Sequence, residues 1–126
     1  MALEDELSIA ITWLCRLMAF HMVPYLYVSS RWKMEEVARR TIEILLGKKF
    51  PKARPRWLVN PITGRPLELD GYCEDLGLAF EYNGAQHYHR VPRFHSDDSD
   101  LEYQVYKDRL KRLLCLERGV HLIVIP

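Results

Sequence analysis

The segment 67-LELDGYCEDLGLAFEYNGAQH-87 decides the fold. Over Leu67–Cys73 apolar and polar positions alternate: Leu67, Leu69 and Gly71 or Tyr72 stand against Glu68 and Asp70, the period of a strand. Glu74-Asp75-Leu76-Gly77 is a turn, and Leu78–Asn83 is a second, more continuously apolar strand. The two strands form a hairpin that Gly84 ends. Asp70 lies on its first strand and Glu81 on its second, so a tight hairpin can bring both carboxylates to one end and one face of a sheet.

Downstream, residues 85–98 read as a polar loop rich in His and Asp. A third helix is predicted from about Asp100 to Arg118, with Gly119 as its cap. The apolar run His121–Ile125 is a buried strand. A strand–helix–strand ending implies a right-handed crossover and a parallel pairing. Upstream, four prolines (Pro51, Pro55, Pro61, Pro66) within residues 48–66 exclude a central strand. Phe50, Trp57 and Leu58 would anchor this stretch as an ordered arm. A second helix is expected from near Ser30 or Lys33 to Leu46, with Met34, Val37, Ala38, Thr41, Ile44 and Leu45 on its apolar face and Gly47 closing it. A first helix is expected over residues 4–22, with Leu3, Leu7, Ile11, Leu14 and Met18 inward. The expected fold class is therefore α/β, a mixed sheet flanked by helices. The chain carries no internal repeats.

With 126 residues, 48% hydrophobic and 28% charged, the chain fits one domain with a real core. Residues 1–30 would be an N-terminal helix and connector, and residues 31–126 the core. The apolar fraction excludes a disordered chain. Three widely spaced cysteines without a CxxC suggest a reducing, intracellular compartment. Residues 8–28 are long enough to resemble a membrane span, but Arg16 near their middle and the helical spacing of the apolar residues favour a packed helix or an oligomer contact. No signal peptide is expected, because a basic leader region and a small-residue cleavage site are missing.

The net charge of +1 conceals an uneven distribution. Residues 31–67 carry ten Lys/Arg against three acids, a local +7, and residues 68–126 carry eleven acids against seven bases. A basic stretch beside an acidic one suits a phosphate-facing surface next to a carboxylate site. Glu81 follows Leu78-Ala79-Phe80 in a buried run, where an acid needs compensation. Paired carboxylates are hard ligands suited to Mg²⁺ or Mn²⁺.

The string Asp70-x10-Glu81-Tyr82-Asn83-Gly84-Ala85-Gln86-His87 resembles the active-site hairpin of the PD-(D/E)xK nuclease superfamily, the restriction-endonuclease-like fold. It is most similar to the branch containing the very-short-patch repair endonuclease and its small relatives. A preceding helix with an acid and a following helix with Lys107-Asp108-Arg109-Leu110-Lys111 extend the resemblance over about residues 34–126. It implies a Mg²⁺- or Mn²⁺-dependent endonuclease acting on DNA, and leaves open whether RNA is also cut. Asp70 and Glu81 would hold the ion, together with the carbonyl of Tyr82 and with Glu35 (or Glu36). The motif lysine falls at Asn83, which cannot move a proton. Gln86 or His87 would orient the attacking water instead, or Lys107 or Lys111 would reach in from the third helix. Lys52, Arg54, Arg56 and Arg65 would hold neighbouring phosphates, and Trp57, Tyr82 and Tyr88 could stack on bases. His87, His89, His95 and Cys73 follow no recognised zinc spacing. The alternative is an inactive nuclease-fold module that binds nucleic acid, or a subunit of a larger complex. Residues 1–28 would mediate homodimerisation or docking to that complex.

Overall fold

A computed structural model of the chain describes residues 2–22, 31–83 and 98–125. Along these residues the chain builds helix α1 (Ala2–Met22), α2 (Arg31–Leu46), strands β1 (Gly71–Cys73) and β2 (Leu78–Tyr82), α3 (Asp98–Arg118) and β3 (His121–Ile125). The sheet order is β1-β2-β3. β1 runs antiparallel to β2, with Gly71 opposite Phe80, and β2 runs parallel to β3, with Phe80 opposite Ile123. The parallel pair is the one expected of a strand–helix–strand ending. The result is a mixed α/β fold. Among the described residues, no helix is long and apolar enough to cross a membrane.

The period of two along each strand sorts side chains onto two faces. Cys73, Phe80, Ile123 and Ile125 meet Ile11 and Cys15 of α1, Ala38 and Ile42 of α2, and Phe50. On the opposite face Ala79, with Leu67 and Leu69, packs against Leu110 and Cys115 of α3, Val120 and Leu58 of the arm. Phe80 fills the space over Gly71 so closely that a Cβ at Gly71 would lie 2.0 Å from its ring. All three cysteines are free and buried, as small apolar side chains.

The first hairpin strand departs from expectation. Only Gly71–Cys73 pairs with β2, while Leu69 bridges Ala53 and Pro66 bridges Val59. Residues 66–69 therefore meet the arm through isolated bridges, and Asp70 sits at the bend between these and β1. The arm is ordered as expected: Phe50 and Leu58 are fully buried. Asn60, also buried, adds a tight turn in which its Oδ1 accepts the N–H groups of Ile62 (2.9 Å) and Thr63 (3.3 Å).

α2 is also rotated relative to expectation. Val37, Ala38 and Thr41 are buried as read from the sequence, but Ile44 is 73% and Leu45 48% exposed. Ile42 and Glu35 point inward instead. This rotation turns Glu35 and Arg39 toward the start of the hairpin. Gly47, at φ 65°, ends the helix in the left-handed conformation that favours glycine.

Candidate active site

Extending the β1–β2 register by one residue beyond Gly71–Phe80 sets Asp70 opposite Glu81. Extending the Ala53–Leu69 bridge sets Lys52 opposite Asp70 and Arg54 opposite Glu68. Lys52 and Glu81 thus both lie near enough to Asp70 for their charges to act on it or be acted on by it. The side chains bear this out. Asp70 Oδ2 accepts the Tyr82 N–H at 2.8 Å, and Arg54 Nε donates to Glu68 at 2.9 Å.

Glu81 lies on the face that α3 covers. There Lys111 Nζ donates to Glu81 Oε1 at 3.1 Å, with side chains only 15% and 8% exposed. Lys111 thus reaches the Glu81 carboxylate from a separate element. Asn83, two residues after Glu81, is buried, and its N–H donates to the Ile125 carbonyl at 2.7 Å. A narrow crevice is lined by Glu81, Asn83, Asp108, Lys111 and Arg112.

The third acid arrives from α2. Glu35 is buried, and its Oε1 accepts from Arg39 at 3.2 Å and from Lys52 at 3.1 Å. Arg39 binds far more than Glu35. Its Nε donates to the Phe50 carbonyl at 3.0 Å, its other nitrogens reach Glu36 and the Asp70 carbonyl, and its guanidinium lies 5.8 Å from the Phe80 ring centroid. One side chain thereby ties α2, the arm and the Asp70 bend together. The sequence reading missed Arg39. Its available signal was its position, four residues after Glu35 and three after Glu36 on one helix.

Burial pushes the Glu81 carboxyl up to about 7, outweighing the attraction of Lys111, with the neighbouring Asp70 adding to the rise. Asp70 is also raised, first by burial, against the Tyr82 N–H; the charge of Glu35 raises it further, while Lys111 and Lys52 pull it down. The site is thus a crowded, partly desolvated group of acids held together by cations.

Among the described residues, no three His, Cys, Asp or Glu side chains gather tightly enough to form a ready-made metal cage. Asp70 and Glu81 nonetheless fit the donor set that Mg²⁺ takes, one or two carboxylates with water and substrate oxygens completing the shell. In extended backbone the carbonyl of Tyr82 projects to the same edge of β2 as its N–H, toward Asp70. Glu35, engaged by two cations, is placed to steady that pair from outside.

The four basic arm residues separate. Lys52 pairs with Glu35 and, at 3.6 Å, with Glu68, while Arg54 pairs with Glu68. Both are committed to carboxylates at the edge of the site. Arg56 lines a groove with Arg54, Trp57, Tyr72 and Glu74, and Arg65 is exposed on the turn beyond Asn60. Trp57 packs edge-on against Tyr72, with ring centroids 5.9 Å apart, beneath the guanidinium of Arg118. Gln86 and His87, with Tyr88, His89 and His95, lie outside the described residues.

No protein-family model matches the chain, and no solved structure matches it. It is similar to three curated viral proteins. It is 46% identical over 97 residues to uncharacterized protein 033L of Invertebrate iridescent virus 3, a match covering 77% of this chain and 49% of that protein. It is 43% identical over 98 residues to uncharacterized protein 094L of Frog virus 3, covering 77% of this chain and 63% of that protein. It is 45% identical over 99 residues to uncharacterized protein 307L of Invertebrate iridescent virus 6, covering 70% of this chain and 50% of that protein. The chain thus spans between about half and just under two thirds of the length of these relatives.

Proposed function

We propose that the chain is a divalent-metal-dependent endonuclease that hydrolyses DNA phosphodiester bonds, built on a restriction-endonuclease-like core. The observation that carries this reading is the meeting of Asp70, Glu81 and Lys111 from three separate elements at one place. A buried Glu81 beside a half-buried Asp70 adds nothing to packing, and a lysine drawn in from α3 supplies the charge type the motif lacks at Asn83.

In this reading Asp70, Glu81 and the Tyr82 carbonyl would hold Mg²⁺ or Mn²⁺. The bound ion would lower the pKa of a water and neutralise charge developing on the phosphate. Lys111, anchored on Glu81, is positioned to donate a hydrogen bond to the attacking water or to a non-bridging phosphate oxygen. Arg39 and Lys52 fix Glu35 and the Asp70 bend, so the acids keep their geometry when substrate charge approaches. Arg56 and Arg65 would hold the flanking phosphates, while Lys52 and Arg54 stay paired with Glu35 and Glu68.

The test is cleavage of plasmid, single-stranded DNA, mismatched duplex and RNA in Mg²⁺, Mn²⁺ or EDTA, with Asp70→Ala, Glu81→Ala and Lys111→Met beside the parent. Metal-dependent cutting that disappears in folded Asp70→Ala and Glu81→Ala is expected. Undiminished cutting in both variants would sink the assignment. DNA binding without any cutting would identify a nuclease-fold module that has lost catalysis.

A further inference from the structure

Helix α1 has two apolar faces, and the fold uses one. Ile11 and Cys15 are buried against the core, and Leu7 packs beside them. On the opposite side Ile9, Trp13 and Leu17, each four residues from the next, are 58%, 60% and 54% exposed. Three large apolar side chains in one outward stripe form the kind of patch that marks an interaction surface. Charged residues frame it. Glu6 is exposed one turn before Ile9, and Arg16 is exposed with its guanidinium 5.8 Å from the Trp13 ring centroid.

The spacing identifies the occupant. Glu6, Ile9, Trp13 and Arg16 follow one another at intervals of three, four and three, the seam of a helix pair. That series reads the same in both directions about residue 11. A two-fold axis across the helix at that level sets Ile9 against the partner's Trp13, and Trp13 against the partner's Ile9. It also sets Glu6 beside the partner's Arg16 at both ends. A parallel pairing would instead oppose Glu6 to Glu6 and Arg16 to Arg16, which like-charge repulsion disfavours. We infer that the outward face of α1 is the interface of an antiparallel homodimer, whose occupant is a second copy of this chain. The contact is isologous and closes on itself. It is independent of the proposed nuclease activity.

Charge reversal tests both the interface and its direction. Sedimentation equilibrium of the full chain at micromolar concentration should give twice the chain mass. Glu6→Arg and Arg16→Glu, each repeated twice by symmetry, should each weaken the dimer by about tenfold or more, as unlike pairs become like pairs. The double variant Glu6→Arg/Arg16→Glu should restore association to near the parental value. Trp13→Glu should give a monomer with an unchanged far-ultraviolet circular dichroism spectrum, and if that variant fails to fold, the charge-reversal set stands as the test. A parental chain that stays monomeric, a dimer indifferent to the single charge reversals, or a double variant that does not recover would each overturn the proposal.

Discussion

Phe80 and Glu81 are neighbours on β2, and they serve opposite faces of the sheet. The Phe80 face is largely apolar: α1, α2 and Phe50 cover it with aliphatic, aromatic and cysteine side chains, and Arg39 reaches the edge of that cover over the Phe80 ring. The Glu81 face begins the same way, with Ala79 against Leu110 and Cys115, and then admits two acids and a lysine at its end. One face contributes the stability of the fold. The other spends part of it on charges that packing alone would not favour, since buried ions are held at a desolvation cost. The charged groups gather at one end of that face, where Lys111 meets Glu81.

Substitutions on the two faces should separate these roles. Glu81→Ala is expected to remove metal-dependent cleavage altogether while urea unfolding stays cooperative. A cleaving Glu81→Ala protein would place the chemistry elsewhere. Its neighbour Phe80→Ala should lower stability by roughly 3–5 kcal/mol, the usual loss for a buried phenylalanine, as read from the urea midpoint. Lys111→Met should slow cleavage by about 10²-fold or more, in the range of a lost proton-handling group, with a folded circular dichroism spectrum. Gly71→Ala drives a methyl into the Phe80 ring and should cost about 1–3 kcal/mol by overpacking, checked by thermal unfolding.

A further effect concerns pH. Glu81 holds its proton to about pH 7 in the folded chain and releases it near its ordinary value of 4.5 when unfolded. Between those values the folded state binds more protons at Glu81, so the contribution of Glu81 to stability is fully present below about pH 4.5 and is lost as pH rises to 7. Asp70, raised above its ordinary value of 3.8, acts in the same direction. Urea unfolding at pH 5 and pH 8 should show this decline in the parent and a flatter profile in Glu81→Gln. A parent whose stability rises over that interval would contradict the burial of Glu81.

Much of this was legible in the chain because it is local. Alternation and the Glu74–Gly77 turn announce the hairpin, and with it the approach of Asp70 to Glu81. The apolar run after Gly119 announces β3. What escaped depends on contacts between distant segments. Nothing near Leu67–Leu69 shows that these residues pair with Ala53–Leu58 rather than with β2. Ile44 and Leu45 share a helical stripe with Val37 and Ala38, so periodicity alone counts them inward. The pull of Glu35 and Arg39 toward Asp70 and Phe50 selects the neighbouring stripe through Ile42. Lys111 was one of two candidates on α3, and only the packing of α3 on the Glu81 face distinguishes it from Lys107, whose ammonium lies over the Tyr103 ring.

The parallel pairing of β2 with β3 also bears on the order of folding. A hairpin closes within microseconds, whereas a parallel partner must wait for a long crossover. Asp70 and Glu81 lie on the hairpin, but Lys111 is thirty positions from Glu81 and is delivered by that crossover. A hairpin formed ahead of that crossover would bring the acids together before their cation, and their mutual repulsion would then oppose folding. Mildly acidic solution, which protonates the acids, would then speed folding, so refolding rates at pH 5 and pH 8 read out how early the two carboxyls meet.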